Sequence, residues 1–175
     1  LTLSVDSFSV ESAQQLPRGL QSFHYLGLWH SRDWEALLAA LPPNLKKLRG
    51  FVIPPRKSVV SHLPRTLTAI SIGVQEFECI PDLPPGLQNA WIHINKDAPL
   101  VPWPSSLTSL ILEDWVYGFT ETLPSSLTSL SITSSAETKP FPFDQLPQSL
   151  RYLEWSDYTV SFITSSKHDF LALPP

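Results

Sequence analysis

Residues 103–112 read WPSSLTSLIL, and residues 123–132, one repeat further on, read LPSSLTSLSI. An apolar residue followed by proline opens both stretches, and apolar residues return four, seven and nine positions later. The last two of these alternate with a polar residue, the period of a strand with one buried face. Two near-copies at a fixed spacing mark a repeat architecture.

The pattern extends in both directions. Leu-Pro pairs stand at Leu16-Pro17, Leu41-Pro42, Leu63-Pro64, Leu83-Pro84, Leu123-Pro124, Leu146-Pro147 and Leu173-Pro174, with Trp103-Pro104 in the one remaining slot. Successive steps are 25, 22, 20, 20, 20, 23 and 27 residues. The apolar column seven positions after the anchor runs Phe23, Leu48, Ile70, Ala90, Leu110, Leu130, Leu153. The column nine positions after it runs Tyr25, Gly50, Ile72, Ile92, Leu112, Ile132, Trp155. Gly50 and Ala90 alone interrupt large apolar side chains.

One such unit cannot bury its own leucines, whereas stacked units bury them as continuous columns. Proline cannot donate to a sheet ladder or continue a helix, so each Leu-Pro belongs to the return or corner before a strand. These considerations predict parallel strands within 22–26, 47–52, 69–73, 89–94, 109–113, 129–133 and 152–156, all in one sheet. At a strand spacing of about 4.8 Å the stack spans on the order of 30 Å.

The returns differ. Asp33 to Ala40 reads as about two helical turns, with Ser31 or Asp33 as N-cap and Pro42 as terminator. Ser165 to Ala172 looks like a shorter version. Between them, Cys79-Ile80-Pro81-Asp82 and Ala98-Pro99-Leu100-Val101-Pro102 are too proline-rich for helix and read as extended. The fold class is therefore α/β but mostly β: a single solenoid over 1–175 with about seven complete strand units. Both ends fall inside a repeat, so the chain reads as a segment of a longer array.

Composition narrows the function. With 12 Lys and Arg against 16 Asp and Glu, the net charge is -4, and no basic cluster exceeds two residues, which disfavours nucleic acid. The longest apolar runs, such as Trp34 to Leu41, are far too short to cross a bilayer, so no membrane insertion is expected. The single Cys79 excludes an internal disulfide framework; it fits a reducing, cytoplasmic compartment and is compatible with secretion too. It reads as a small buried hydrophobe rather than a reactive thiol. His24, His30, His62, His93 and His168 show neither metal-binding spacing nor cysteine partners. No GxSxG elbow, phosphate-binding glycine loop or spaced carboxylate pair occurs, and the serines of the SSLTSL copies read as turn-forming or water-facing. No catalytic residue, metal or cofactor is expected, and the chain does not read as an enzyme.

The polar side of each strand carries more information. Alternation puts Arg49, Phe51, Trp91, His93, Ile111, Glu113, Asp114, Tyr152, Glu154 and Asp157 on or beside the solvent-facing sheet surface. Phe51, Trp91, Ile111 and Tyr152 are large apolar groups there, of the kind enriched at interface hot spots. The alternative is that they pack on each other as cross-strand neighbours, and at Phe51 the preceding Gly50 disturbs the register.

These units resemble the leucine-rich-repeat family, in the variant whose strand is introduced by LPxxLxxLxI. Ile80-Pro81-Asp82-Leu83-Pro84-Pro85-Gly86-Leu87 is similar to the repeats of bacterial type III secreted effectors, and Leu123 to Leu130 to the LPxSLxxL unit of FNIP-type repeats. The resemblance covers essentially the whole chain and implies a right-handed coil, with the sheet concave and short helices or extended returns convex. The family's usual asparagine slot holds Leu28, Ile53, Gln75, Asn95, Trp115, Ser135 and Tyr158, so only Asn95 matches. The resemblance implies a protein-interaction module that binds a protein partner on the concave face. Two alternatives stay open: the substrate-recruiting or autoinhibitory part of a larger enzyme such as a ubiquitin ligase, and a structural or adhesive array.

Overall fold

A computed structural model describes residues 2–3, 8–25, 34–53, 63–74, 83–94, 103–114, 123–133, 146–156 and 161–164. The elements in order are β1 (Thr2–Leu3), α1 (Val10–Gln14), β2 (Ser22–Tyr25), α2 (Trp34–Ala39), β3 (Lys47–Ile53), β4 (Ala69–Val74), β5 (Asn89–Ile94), β6 (Ser109–Glu113), β7 (Ser129–Thr133), β8 (Tyr152–Ser156) and β9 (Ser161–Thr164). The strands form one sheet in strict chain order. Every neighbouring pair from β1 to β8 is parallel. The seven strands expected from the repeat are present, and the molecule is a mostly-β solenoid.

The proline of each anchor forms the corner. In all seven coils its carbonyl accepts from the amide of the leucine three residues on, at 2.9–3.1 Å, closing a tight turn from Pro17–Leu20 through to Pro147–Leu150. Proline suits this place because only its carbonyl is needed. The residue after that leucine then presents a carbonyl to two consecutive amides of the next coil. Gln88 O, for example, accepts from Thr108 N at 2.9 Å and Ser109 N at 3.0 Å. The same doubled acceptance recurs at Gln21, Lys46, Thr68, Thr108 and Thr128.

Hydroxyls complete this ladder. Thr66, Ser106, Ser126 and Ser149, each just before the turn leucine, donate to the carbonyl of the equivalent leucine one coil back: Leu45, Leu87, Leu107 and Leu127, at 2.6–2.8 Å. Thr68, Thr108 and Thr128 donate to the doubly used carbonyls of Lys46, Gln88 and Thr108 at 3.0–3.2 Å. The second serine and the threonine of SSLTSL are thus inter-coil ties as well as turn or surface groups. Backbone carbonyls at the sheet's entrance are thereby satisfied without an asparagine.

The core lies behind the sheet. Leu45, Leu67, Leu87, Leu107 and Leu127 are wholly buried, as are Leu48, Leu110, Leu130 and Leu153 on the strands. Trp103 takes the place of an anchor leucine, and its buried Nε1 has no hydrogen-bond acceptor among the described residues. At the N-terminal end Phe8 packs on Phe23 and Tyr25, with ring centroids 5.2 and 5.5 Å apart.

Three features depart from the repeat. The helix α1, capped by Ser9 accepting from Ser12 N at 3.3 Å, was not anticipated. Glu11 in its first turn is held below the usual carboxylate range, first by its hydrogen bond with Ser9 and then by one to its own backbone amide. The helix α2 does fall within the expected Asp33–Ala40 segment. The second departure is a bulge between Arg49 and Phe51. Gly50 there has φ +82°, and a Cβ on it would run into the carbonyl oxygen of Tyr25, so no other residue fits without backbone movement. Third, β9 runs antiparallel to β8, Ser156 opposite Ser161, along the edge that a further parallel coil would use. Four residues separate the two strands, which is hairpin length, whereas a parallel return needs a dozen or more. The Ser165–Ala172 segment and Cys79 lie outside the described residues.

A candidate recognition surface on the open face of the sheet

Because side chains alternate, the face opposite the core is built from three rows crossing the strands. The first runs Lys47, Ala69, Asn89, Ser109, Ser129, Tyr152, and the second Arg49, Ser71, Trp91, Ile111, Ser131, Glu154. The third includes Gly73, His93, Glu113 and Thr133. Small residues such as Ala69, Ser71, Gly73, Ser109, Ser129 and Ser131 alternate on this face with large or charged ones.

Trp91 is the exposed large hydrophobic residue among those described, at 44% of its accessible surface. It borders a shallow depression of about 330 Å³ whose walls include Lys47, Arg49, Asn89, Trp91, Ser109 and Ile111. Lys47 and Arg49 are exposed, and neither meets a carboxylate among the described residues. An indole face beside two uncommitted cations offers both apolar contact and charge attraction.

A second cluster adjoins it. His93 Nδ1 lies 3.5 Å from Glu113 Oε2, and its Nε2 lies 3.3 Å from Asp114 Oδ2. Asp114 reaches the ring from a left-handed backbone, φ 57°, a conformation that aspartate tolerates better than most residues. All three side chains are well exposed, so these pairs are screened and orient the groups more than they stabilise the fold. At the far end Glu154 Oε2 accepts from Ser131 Oγ at 2.9 Å and Tyr152 Oη at 3.3 Å. The Tyr152 hydroxyl is held above its ordinary value by desolvation first, then by the Glu154 charge and the hydrogen bond to it.

Arg49, Trp91 and Ile111 therefore share one depression, His93, Glu113 and Asp114 form one cluster, and Tyr152 and Glu154 form a third. The side chain of Phe51 lies outside those described. The bulge sets its backbone opposite Ile72, in the register of the buried column, and Val52 opposite Gly73 instead. The extra residue at Gly50 is the physical reason for this register. Asp157 lies outside the described residues. Ser131 is a partner of the site that alternation puts on the face but that its chemistry does not single out.

Among the described residues no three His, Cys, Asp or Glu side chains are grouped to hold a metal ion, and no helix is long and apolar enough to cross a membrane. The fold and surface together define a class: a parallel-strand β-solenoid with an open, chemically graded sheet face. Compared with known proteins, the sequence matches no family model and no curated protein.

Proposed function

We propose that this chain is built of leucine-rich repeats and recognises a protein partner on the open face of its sheet. The observation that carries this reading is Trp91, a large indole left 44% exposed near the middle of the open face, between the basic and the acidic residues. Burial of such a ring on association supplies contact energy, and the charges around it supply orientation. The face is basic at Lys47 and Arg49 and acidic at Glu113, Asp114 and Glu154. A partner would lie with its acidic part toward the first and its basic part toward the second.

The test is affinity capture from extract with three baits: the parent, Trp91→Ala, and Gln148→Ala in an exposed turn away from the face. Proteins held by the parent and Gln148→Ala but lost with Trp91→Ala are the expected result. On any recovered partner, Trp91→Ala raises the dissociation rate, while Glu113→Lys with Asp114→Lys slows association and flattens its salt dependence. Identical capture by all three baits overturns the reading.

A further inference from the structure

From β3 to β8 the middle row of the open face reads Arg49, Ser71, Trp91, Ile111, Ser131, Glu154, each in register with the next. About the gap between β5 and β6 this row is complementary to its own reverse. The cation answers the anion, serine answers serine, and the indole answers the isoleucine. The neighbouring rows behave likewise, since the reversal sets Lys47 over the Tyr152 hydroxyl, Asn89 over Ser109, and His93 over Glu113. We propose that the open face docks a second copy of this chain, face to face, about a twofold axis parallel to the strands and centred over the β5–β6 gap. The proposal rests on the recognition reading above and names its partner.

The axis follows from the charges. A twofold along the strands keeps strand direction and reverses strand order, so each contact occurs twice with the copies exchanged. A twofold along the stacking direction would instead put Arg49 over Arg49 and Glu154 over Glu154, which repels. Within one copy Arg49 and Glu154 lie five strands apart, about 24 Å at ordinary strand spacing, far too distant to pair. Between copies both pair at once, and Arg49 and Lys47 gain the anionic or polar partners that they lack among the described residues. Trp91 and Ile111 then flank the axis, the central position in which hot-spot residues concentrate. An acidic peptide would answer Lys47, Arg49 and Trp91 but would leave the Glu154–Tyr152 end without a counterpart.

Size sets the affinity. Six strands by five residues cover roughly 30 by 16 Å, or about 450 Å² per copy, at the low end of specific interfaces. The dimer is accordingly weak and concentration-dependent, with a dissociation constant on the order of tens of micromolar.

Sedimentation equilibrium of the whole chain tests this, with the parent, Arg49→Glu, Glu154→Arg and an equimolar mixture of the two variants. Melting curves confirm that each variant is folded, and Lys47→Glu, fully on the surface, serves as a second cation variant. The parent should dimerise, less so at about 0.5 M salt, where charge attraction is screened. Each variant alone should associate at least about tenfold more weakly, because like charges now meet at both ends of the interface. The mixture should recover to within about threefold of the parent, because the heterodimer regains two opposite-charge pairs. A parent that stays monomeric to about ten times the expected constant, or a mixture no tighter than its components, overturns the proposal. If that happens while Trp91→Ala still loses a foreign partner in capture, recognition stands and self-docking falls. If the dimer fails these tests and capture does not depend on Trp91 either, both fall.

Discussion

The coils between Leu63 and Ile132 and those between Phe8 and Ile53 fill the same space behind one sheet with different material. The central coils step by twenty residues, pack leucine and isoleucine in the buried columns, and tie each corner to the last with a hydroxyl, except at Gly86. The N-terminal coils are longer and carry α1 and α2. Phe8, Phe23 and Tyr25 fill their core, and Gly19 and Asn44 stand where the hydroxyl donor would be. The chain also bulges there, at Gly50 against the Tyr25 carbonyl. Regular coils are held by repetition of one small design, and the irregular ones by a single larger core.

Mutation separates the two. In the central region Leu130→Ala should cost roughly 2–5 kcal/mol by opening a cavity in a fully buried column. Ser131→Ala, one residue on and facing outward, should cost under about 1 kcal/mol through loss of its bond to Glu154. Equal denaturant midpoints for the two would mean that β7 has been placed in the wrong register. The N-terminal counterpart is Gly50→Ala, expected to cost about 2–3 kcal/mol from the left-handed backbone and the contact with Tyr25. Gly86→Ala in the regular region meets nothing within 4 Å and should change stability by less than about 1 kcal/mol. If both glycines tolerate alanine alike, the bulge does not distinguish the regions.

The hydroxyl ladder allows finer comparison. Ser126→Ala should cost about 1 kcal/mol, while exposed Ser125→Ala should be silent. Gly86→Ser should add the missing rung toward Leu67 O and stabilise by about 0.5–1.5 kcal/mol, seen as a rise in denaturant midpoint. A drop in midpoint would show that the turn geometry differs there. The smallest expected effect is at Tyr152. Its folded value is raised, so the stability tied to its neutral form is present below the ordinary value near 10 and is lost as pH rises through the raised one. Absorbance titration of the phenol should show Glu154→Gln bringing it down toward the ordinary value, and no movement would remove Glu154 as a cause.

Much of this was legible in the residues. The strands were, because alternation and the Leu-Pro period are local signals repeated seven times. The helix α1 was not, because five residues show no period and depend on the Ser9 cap. Nor was β9, since antiparallel pairing comes from a short turn, not from the repeat. On the open face, alternation placed Arg49, Trp91, Ile111 and Glu154 without help. It could not give the backbone register at Phe51, because the extra residue at Gly50 shifts the pairing that follows. The joining of both His93 nitrogens to Glu113 and Asp114 depends on a left-handed backbone at Asp114, which no period encodes.

The proposed reading divides each strand from β3 to β8 into residues that build the solenoid and residues left for a partner, and adjacent residues of β5 test that division. The measurement is the thermal unfolding of Trp91→Ala beside Ile92→Ala. Ile92 is wholly buried, and its loss should lower the midpoint by roughly 5–15 °C for a chain of this size. Trp91→Ala should melt within about 2 °C of the parent, leaving the effect of that mutation to association alone. If Trp91→Ala unfolds as early as Ile92→Ala, the indole supports the fold, and the open face is not reserved for a partner.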